Sequence, residues 1–137
     1  MSTDSTLATS TPRWMTWTGR AFSSLAVLQL LSSAFFRGTQ HDYAVTEIVT
    51  GYGFPESAIR WIVLAECVLV LLYLVPRTAV VAALLLTGYL GGAVAAHLRV
   101  GDTARAVIPL VVATLAWGGL YLRDRRIRQL IPFRRSA

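Results

Sequence analysis

The chain has 137 residues with a formal charge of +6, and 55% of its residues are apolar, which gives a mean hydropathy of +0.56. That length is enough for one compact domain, and a soluble domain so small lacks the interior volume to bury this much apolar surface. Its basic residues are all arginine and flank the apolar runs, a pattern that favours a membrane surface over nucleic acid as the partner.

Four apolar runs follow one another after a polar segment rich in Ser and Thr, residues 1–13, which we predict to be a disordered cytoplasmic tail. We predict membrane-spanning helices at about residues 14–36, 58–75, 78–98 and 104–122, within a transmembrane domain 14–122. Each run is long enough to cross about 30 Å of hydrocarbon at 1.5 Å per residue. A transmembrane β-barrel is disfavoured because the runs do not alternate between apolar and polar residues. A cleaved signal peptide is disfavoured by the long polar lead of the first run.

The connections between these runs predict an all-α, four-helix integral membrane bundle. Pro76-Arg77 is so short a turn that the second and third helices must form an antiparallel hairpin. The connection between the first and second helices, residues 38–57, is long. Within it, apolar residues at i, i+3, i+4 and i+7 spacing predict a short helix at the outer membrane interface; they are Val45, Ile48, Val49 and Tyr52.

The distribution of arginine predicts how the bundle lies in the cell membrane. With four spans, nine arginines belong to the side that holds both termini and the 76–77 turn, and four belong to the opposite side. The positive-inside rule therefore predicts that both termini are cytoplasmic, in a bacterial inner (plasma) membrane. The C-terminal tail, residues 123–137, mixes arginine with apolar residues, and we predict that it contacts anionic lipid rather than nucleic acid.

Glu66 is the most informative residue because it lies deep in the second run, where a charge costs about 2.5–3.5 kcal/mol on insertion scales. Counting residues from the membrane surface places Gln29, Thr87 and Thr114 at the same depth, with Trp117 about one turn deeper. We therefore predict a polar layer that Trp117 closes from below. Two roles for Glu66 stay open, a protonated carboxyl that holds the bundle together and a group that binds a ligand or carries a proton.

His97 lies about 15 Å above the level of Glu66 by helical rise, too far for a direct hydrogen bond. We expect it to meet Arg37, Arg60, Trp61 or the outer loop, either as a structural residue or at the mouth of a site. Haem ligation by His41 and His97 is disfavoured, since the membrane runs contain no second histidine.

Two further features of the sequence concern packing and thiol chemistry. Gly88, Gly92 and Ala96 recur every four residues, a spacing that lets helices approach closely, within the bundle or in a homodimer. Gly118-Gly119 offers a second small surface.

The lone Cys67 excludes an intrachain disulfide, and we interpret it as an inert buried thiol. The sequence contains no zinc-type cluster of Cys and His, so we predict no metal site.

The sequence resembles the DoxX-like family of small four-helix bacterial membrane proteins. The resemblance rests on Gly53-Phe54-Pro55, on Glu66 within WIVLAECVLVLLYLVPR, and on ALLLTGYLGGAVAAHLRVGD with its His97. It covers about residues 20–123 and implies the four-helix fold, together with a link to membrane redox complexes that act on quinones. Its implication for activity is weaker, because a fold does not fix a function.

These observations predict a site in the outer half of the bundle for a quinone or another small apolar ligand. Glu66 and Gln29 would bind its polar end, with Thr87 at the same level; Trp61 or Trp117 would stack on it, and His97 would guard the mouth. The alternative is a non-catalytic accessory or scaffold subunit that packs beside a larger membrane complex through the Gly88, Gly92 and Ala96 face. A transporter is disfavoured by the absence of internal repeats. Whether the chain is an enzyme is left open, since no cofactor motif is evident.

Overall fold

A computed structural model describes residues 12–124 and 127–128, and every regular element within that part of the chain is helical. The predicted N-terminal tail and basic C-terminal tail fall almost entirely outside the described residues. The helices are α1 Arg13–Thr39, α2 His41–Ala44, α3 Ser57–Leu74, α4 Ala79–Arg99 and α5 Thr103–Arg123. All but α2 are long and apolar enough to cross a membrane, by length and composition. The predicted all-α, four-helix membrane bundle is confirmed.

Short turns arrange α3, α4 and α5 as antiparallel neighbours. Between α4 and α5, Gly101 adopts a φ of +77°, and the amide of Asp102 donates to the carbonyl of His97 at 3.0 Å, which closes the last turn of α4. The Asp102 carboxylate then caps α5 by accepting from the amide of Arg105 at 3.1 Å. The bundle thus has two ends: the loop end, with residues 40–56 and 100–102, and the tail end, with the 75–78 turn and the start of α1.

The connection between α1 and α3 is helical from His41 to Gly51, and the apolar spacing predicts a short helix in this part of the chain. After α2, the chain continues as a wider π-helical segment, Val45–Gly51. Ile48 and Tyr52 are buried against Ile59, and Ala96 of α4 packs against the same cluster. The segment 40–56 therefore covers the loop end of α3 and α4, and it brings the acidic side chain of Glu47 against the bundle.

Helices α1 and α5 contact each other tightly at two glycines, Gly19 and Gly119. A Cβ atom added to Gly119 would lie 2.7 Å from the backbone nitrogen of Ser23 and 2.9 Å from the carbonyl oxygen of Gly19. By contrast, a Cβ added to Gly88 or Gly92 would meet nothing within 4 Å. Gly88 and Gly92 therefore do not pack within the described bundle, whereas Ala96, on the same face, packs against the cluster at the loop end. Contact of the open glycines with another molecule stays a prediction.

Gly119→Ala is expected to destabilise the bundle by about 1–3 kcal/mol, because its methyl group forces two backbones apart. Alanine otherwise favours a helix by about 1 kcal/mol over glycine. Gly91→Ala is the matched control, since Gly91 lies in a helix with open space around it. We expect Gly91→Ala to leave the thermal unfolding temperature in detergent unchanged or raised. Equal behaviour of the two variants would contradict the tight contact between α1 and α5.

Candidate functional site

A buried carboxylate lies at the centre of the bundle, towards its loop end. Glu66 of α3 is only 2% exposed. Its Oε1 atom accepts three hydrogen bonds, from Ser33 Oγ at 2.9 Å, from Arg37 Nη1 at 2.9 Å and from Tyr89 OH at 2.7 Å. Donors from α1 and α4 thus converge on one oxygen of α3, and three helices are joined by a single polar cluster.

Arg37 joins this cluster to the segment at the loop end. Its Nε atom donates to Glu47 Oε2 at 2.9 Å, while Nη1 also donates to Ser33 Oγ. A guanidinium has five donors in a fixed planar fork, so it can serve two carboxylates at once. When both glutamates are ionised, one positive charge faces two negative charges. The cluster then holds a formal charge of −1 in a largely apolar surround.

The second oxygen of Glu66 is in a different situation. Oε2 is buried and has no hydrogen-bond partner among the described residues. Leaving a buried acceptor unsatisfied costs about 1–3 kcal/mol, and more for a charged group. Such an orphaned atom in a native fold calls for a specific explanation. A bound molecule with an O–H or N–H donor would satisfy it.

The cluster lies in the wall of a cavity of about 800 Å³ that extends to the residues of the loop end. This volume is within the range of sites that hold small organic ligands, about 300–1,000 Å³. Its polar wall includes Gln29, Glu66 and His97, and its apolar wall includes Leu30, Leu90 and Val112. The cavity therefore combines a few polar groups with apolar surfaces, which suits a small amphipathic molecule.

A second polar pair lines the loop end of the cavity. Tyr52 OH lies 3.0 Å from His97 Nδ1, and the two rings meet edge to face. Burial raises the pKa of Tyr52, and the negative charge of Glu47 raises it further, so the phenol stays protonated at neutral pH and can donate. Arg99 donates to the backbone carbonyl of Tyr52 and holds this residue in place. His97 thus meets the loop segment, one of the surroundings expected for it.

The polar layer predicted from depth does not form as expected. Gln29 lines the same cavity but is exposed and makes no described bond to Glu66. The Thr87 hydroxyl donates to its own helix and accepts from Trp117 Nε1 at 2.9 Å. Thr114 likewise bonds within its own helix. Thr87 and Trp117 therefore link α4 to α5 away from the residues that line the cavity, and Glu66 finds its partners elsewhere.

The tilt of helical side chains explains why the partners of Glu66 differ from the prediction. Each Cα–Cβ bond points towards the N-terminus of its own helix. Because α1 and α3 are antiparallel, Arg37 reaches towards the tail end while Glu66 reaches towards the loop end. The two charges meet although their backbones lie at different depths. Ser33 and Arg37, at i and i+4 on α1, were the signal in the sequence that depth counting passed over.

A protein-family model described as the DoxX-like family matches residues 21–119, a stretch that contains the whole charged cluster. Comparison with curated proteins finds no match, and comparison with solved structures finds none either.

Proposed function

Since the chain belongs to the DoxX-like family, we propose that it is a membrane protein that binds a quinol, with the ring of the quinol in the cavity beside Glu66. The orphaned Oε2 atom of Glu66 carries this proposal. The oxygen is part of a carboxylate whose other oxygen is paired with Arg37. It can accept a hydrogen bond, and a quinol hydroxyl supplies one.

The remainder of the cavity suits such a ligand. A quinol ring has two apolar faces, and Leu30, Leu90 and Val112 offer apolar contact for them. Tyr52 and His97 supply a hydroxyl and an imidazole at the opposite, loop end of the cavity for the second oxygen of the ring. A hydrogen bond to a charged group contributes about 1.5–3 kcal/mol, so Glu66 would provide most of the polar recognition.

Identification of the bound molecule tests the proposal. The full chain is purified in mild detergent from its native membrane, extracted, and analysed for quinones by mass spectrometry. We expect a stoichiometric quinone or quinol in the wild type and its loss in Glu66→Ala, with circular dichroism checking that the helices persist. Thr114→Ala is the control, because that exposed hydroxyl lies outside the cavity wall. A wild-type protein that neither carries nor takes up a quinol would overturn the proposal.

We also propose an orientation in the plasma membrane, with the loop end on the outer side and both termini in the cytoplasm. The nine arginines at the tail side against four at the loop side support this orientation. Single cysteines in a Cys67→Ser background test it, at the exposed positions Thr103 and Arg77. An impermeant maleimide added to intact cells should label Thr103→Cys and spare Arg77→Cys. In this orientation the basic tail 123–137 lies on the cytoplasmic side, where we propose that it contacts anionic lipid.

One observation favours a second function, in which the chain is an accessory subunit beside a larger membrane redox complex. The same observation would fit a homodimer. The face of Gly88 and Gly92 is open, so the backbone of a partner helix could approach it closely. Native mass spectrometry of the detergent-solubilised protein separates the two functions. A stable complex with another protein, without any quinone bound to this chain, would favour the accessory role.

A further inference from the structure

A groove of about 610 Å³ runs between α3 and α4 on the outside of the bundle, near its loop end. Phe54 and Pro55 cover one end of it, and Trp61 and Ile62 of α3 form one side. Its lining is mostly apolar. It is therefore a concave apolar surface on the part of the bundle that spans the membrane.

The glycines of α4 form the floor of this groove. Gly88 and Gly92 both line it, both are exposed, and added Cβ atoms there would meet nothing within 4 Å. The glycines at the contact between α1 and α5 are tightly packed instead. The absence of side chains at positions 88 and 92 thus creates depth in the groove rather than an intramolecular contact.

The groove and the cavity share a wall. Tyr89, Ala93 and His97 line both, and they are spaced one helical turn apart on the same face of α4. Ala93 lies between the two larger residues and contributes only a methyl group to the shared wall. On the cavity side, Tyr89 donates to Glu66, the residue with the orphaned oxygen. A molecule that passes between α3 and α4 beside these shared residues would have its polar end at Glu66 and its apolar end in the groove.

We propose that the groove binds the apolar isoprenoid chain of the molecule whose ring lies beside Glu66. This inference rests on the proposed function and extends it by naming where the chain leaves the cavity. Membrane quinols carry a long apolar chain that must remain in contact with apolar surface. The groove offers that surface, Arg37 and His97 contribute polar side chains to its lining, and its other residues include exposed positions on two helices that are apolar and long enough to span a membrane. This polarity matches a ligand with a polar ring and an apolar chain.

A pair of leucine substitutions tests the groove. Gly92→Leu fills its floor, while Gly91→Leu adds the same side chain at a neighbouring open position outside the groove lining. The probes are duroquinol, which has no chain, and a benzoquinol with a decyl chain, and Kd is measured for each with the purified full chain. Gly92→Leu should weaken binding of the decyl quinol about tenfold, equivalent to the lost burial of about two methylene groups. It should leave duroquinol binding unchanged, and Gly91→Leu should leave both unchanged.

The outcomes separate failure of this inference from failure of the proposed function. A wild-type protein that binds neither probe overturns the proposed function. A wild-type protein that binds both, with Gly92→Leu weakening both equally or neither, overturns the groove alone. If Gly92→Leu instead changes the oligomeric mass and leaves both Kd values unchanged, the groove is a protein contact and the inference is wrong. Gly88→Leu, at the same floor, replaces Gly92→Leu should that variant lose its helical circular dichroism.

Discussion

Arg37→Met is expected to lower the free energy of unfolding by about 3–5 kcal/mol, because removal of one partner leaves buried charge without compensation. Arg37 forms ion pairs with both Glu47 and Glu66. Methionine keeps much of the apolar stem of arginine but removes all five donors. Glu47 and Glu66 would then lose the cation that they share, and the side chain of Glu66 is only 3% exposed. Equilibrium unfolding in mixed micelles of mild detergent and sodium dodecyl sulfate measures the change.

Arg60→Met is the matched control for this prediction. Arg60 is exposed near the start of α3 and stacks over Trp61 at 5.7 Å. Its replacement should change stability by no more than about 0.5 kcal/mol, as is usual for surface positions. The double variant Arg37→Met/Glu66→Gln should recover part of the lost stability, since it removes one of the two uncompensated charges. A double variant no more stable than Arg37→Met would mean that lost packing, rather than charge, causes the effect.

The fold was predictable because the features that determine it are local in the sequence. The length of each apolar run sets a helix, and Pro76-Arg77 sets a hairpin whatever the rest of the chain does. The helix at 45–51 followed from apolar spacing, since one of its faces covers the bundle and the other does not. In each case the residues that determine the element lie within about twenty positions of one another, so the pattern can be recognised in a single sequence.

The charged cluster was predictable only in part, because its formation depends on how each helix is rotated about its own axis. Depth counting fixes the level of a residue along the membrane normal, yet it does not tell which face of its helix turns inward. In a soluble bundle the apolar face would give that information, but here the exposed face is also apolar: Leu84 is 66% exposed and Leu86 is 2% exposed. For the same reason, spacing indicated small packing surfaces both at Gly88 and Gly92 and at Gly118-Gly119 without distinguishing them, and the tight contact is at Gly119.

Glu66→Gln is expected to reverse the preference of the cavity between quinol and quinone. The amide oxygen of glutamine can still accept from Ser33, Arg37 and Tyr89, so the cluster keeps its hydrogen bonds. The substitution also removes one of its two negative charges, and we expect the variant to fold. At the position of the orphaned Oε2 atom, however, an NH₂ group now donates where a carboxylate oxygen accepted. A quinol hydroxyl loses its acceptor there, and a quinone carbonyl gains a donor.

The expected magnitude follows from the strength of a hydrogen bond to a charged group. Loss of about 1.5–3 kcal/mol weakens quinol binding about 10- to 150-fold. Binding of the matching quinone should be unchanged or tighter. Kd is measured with duroquinol and duroquinone, and the ratio of the two Kd values reports the change in preference without depending on protein stability. Thr114→Ala is the control, because Thr114 lies outside the cavity wall and bonds within its own helix, and it should shift both constants by less than about threefold. If Glu66→Gln weakened quinol and quinone equally, Glu66 would act on the shape of the bundle rather than on the ligand, because loss of shape does not distinguish a donor from an acceptor.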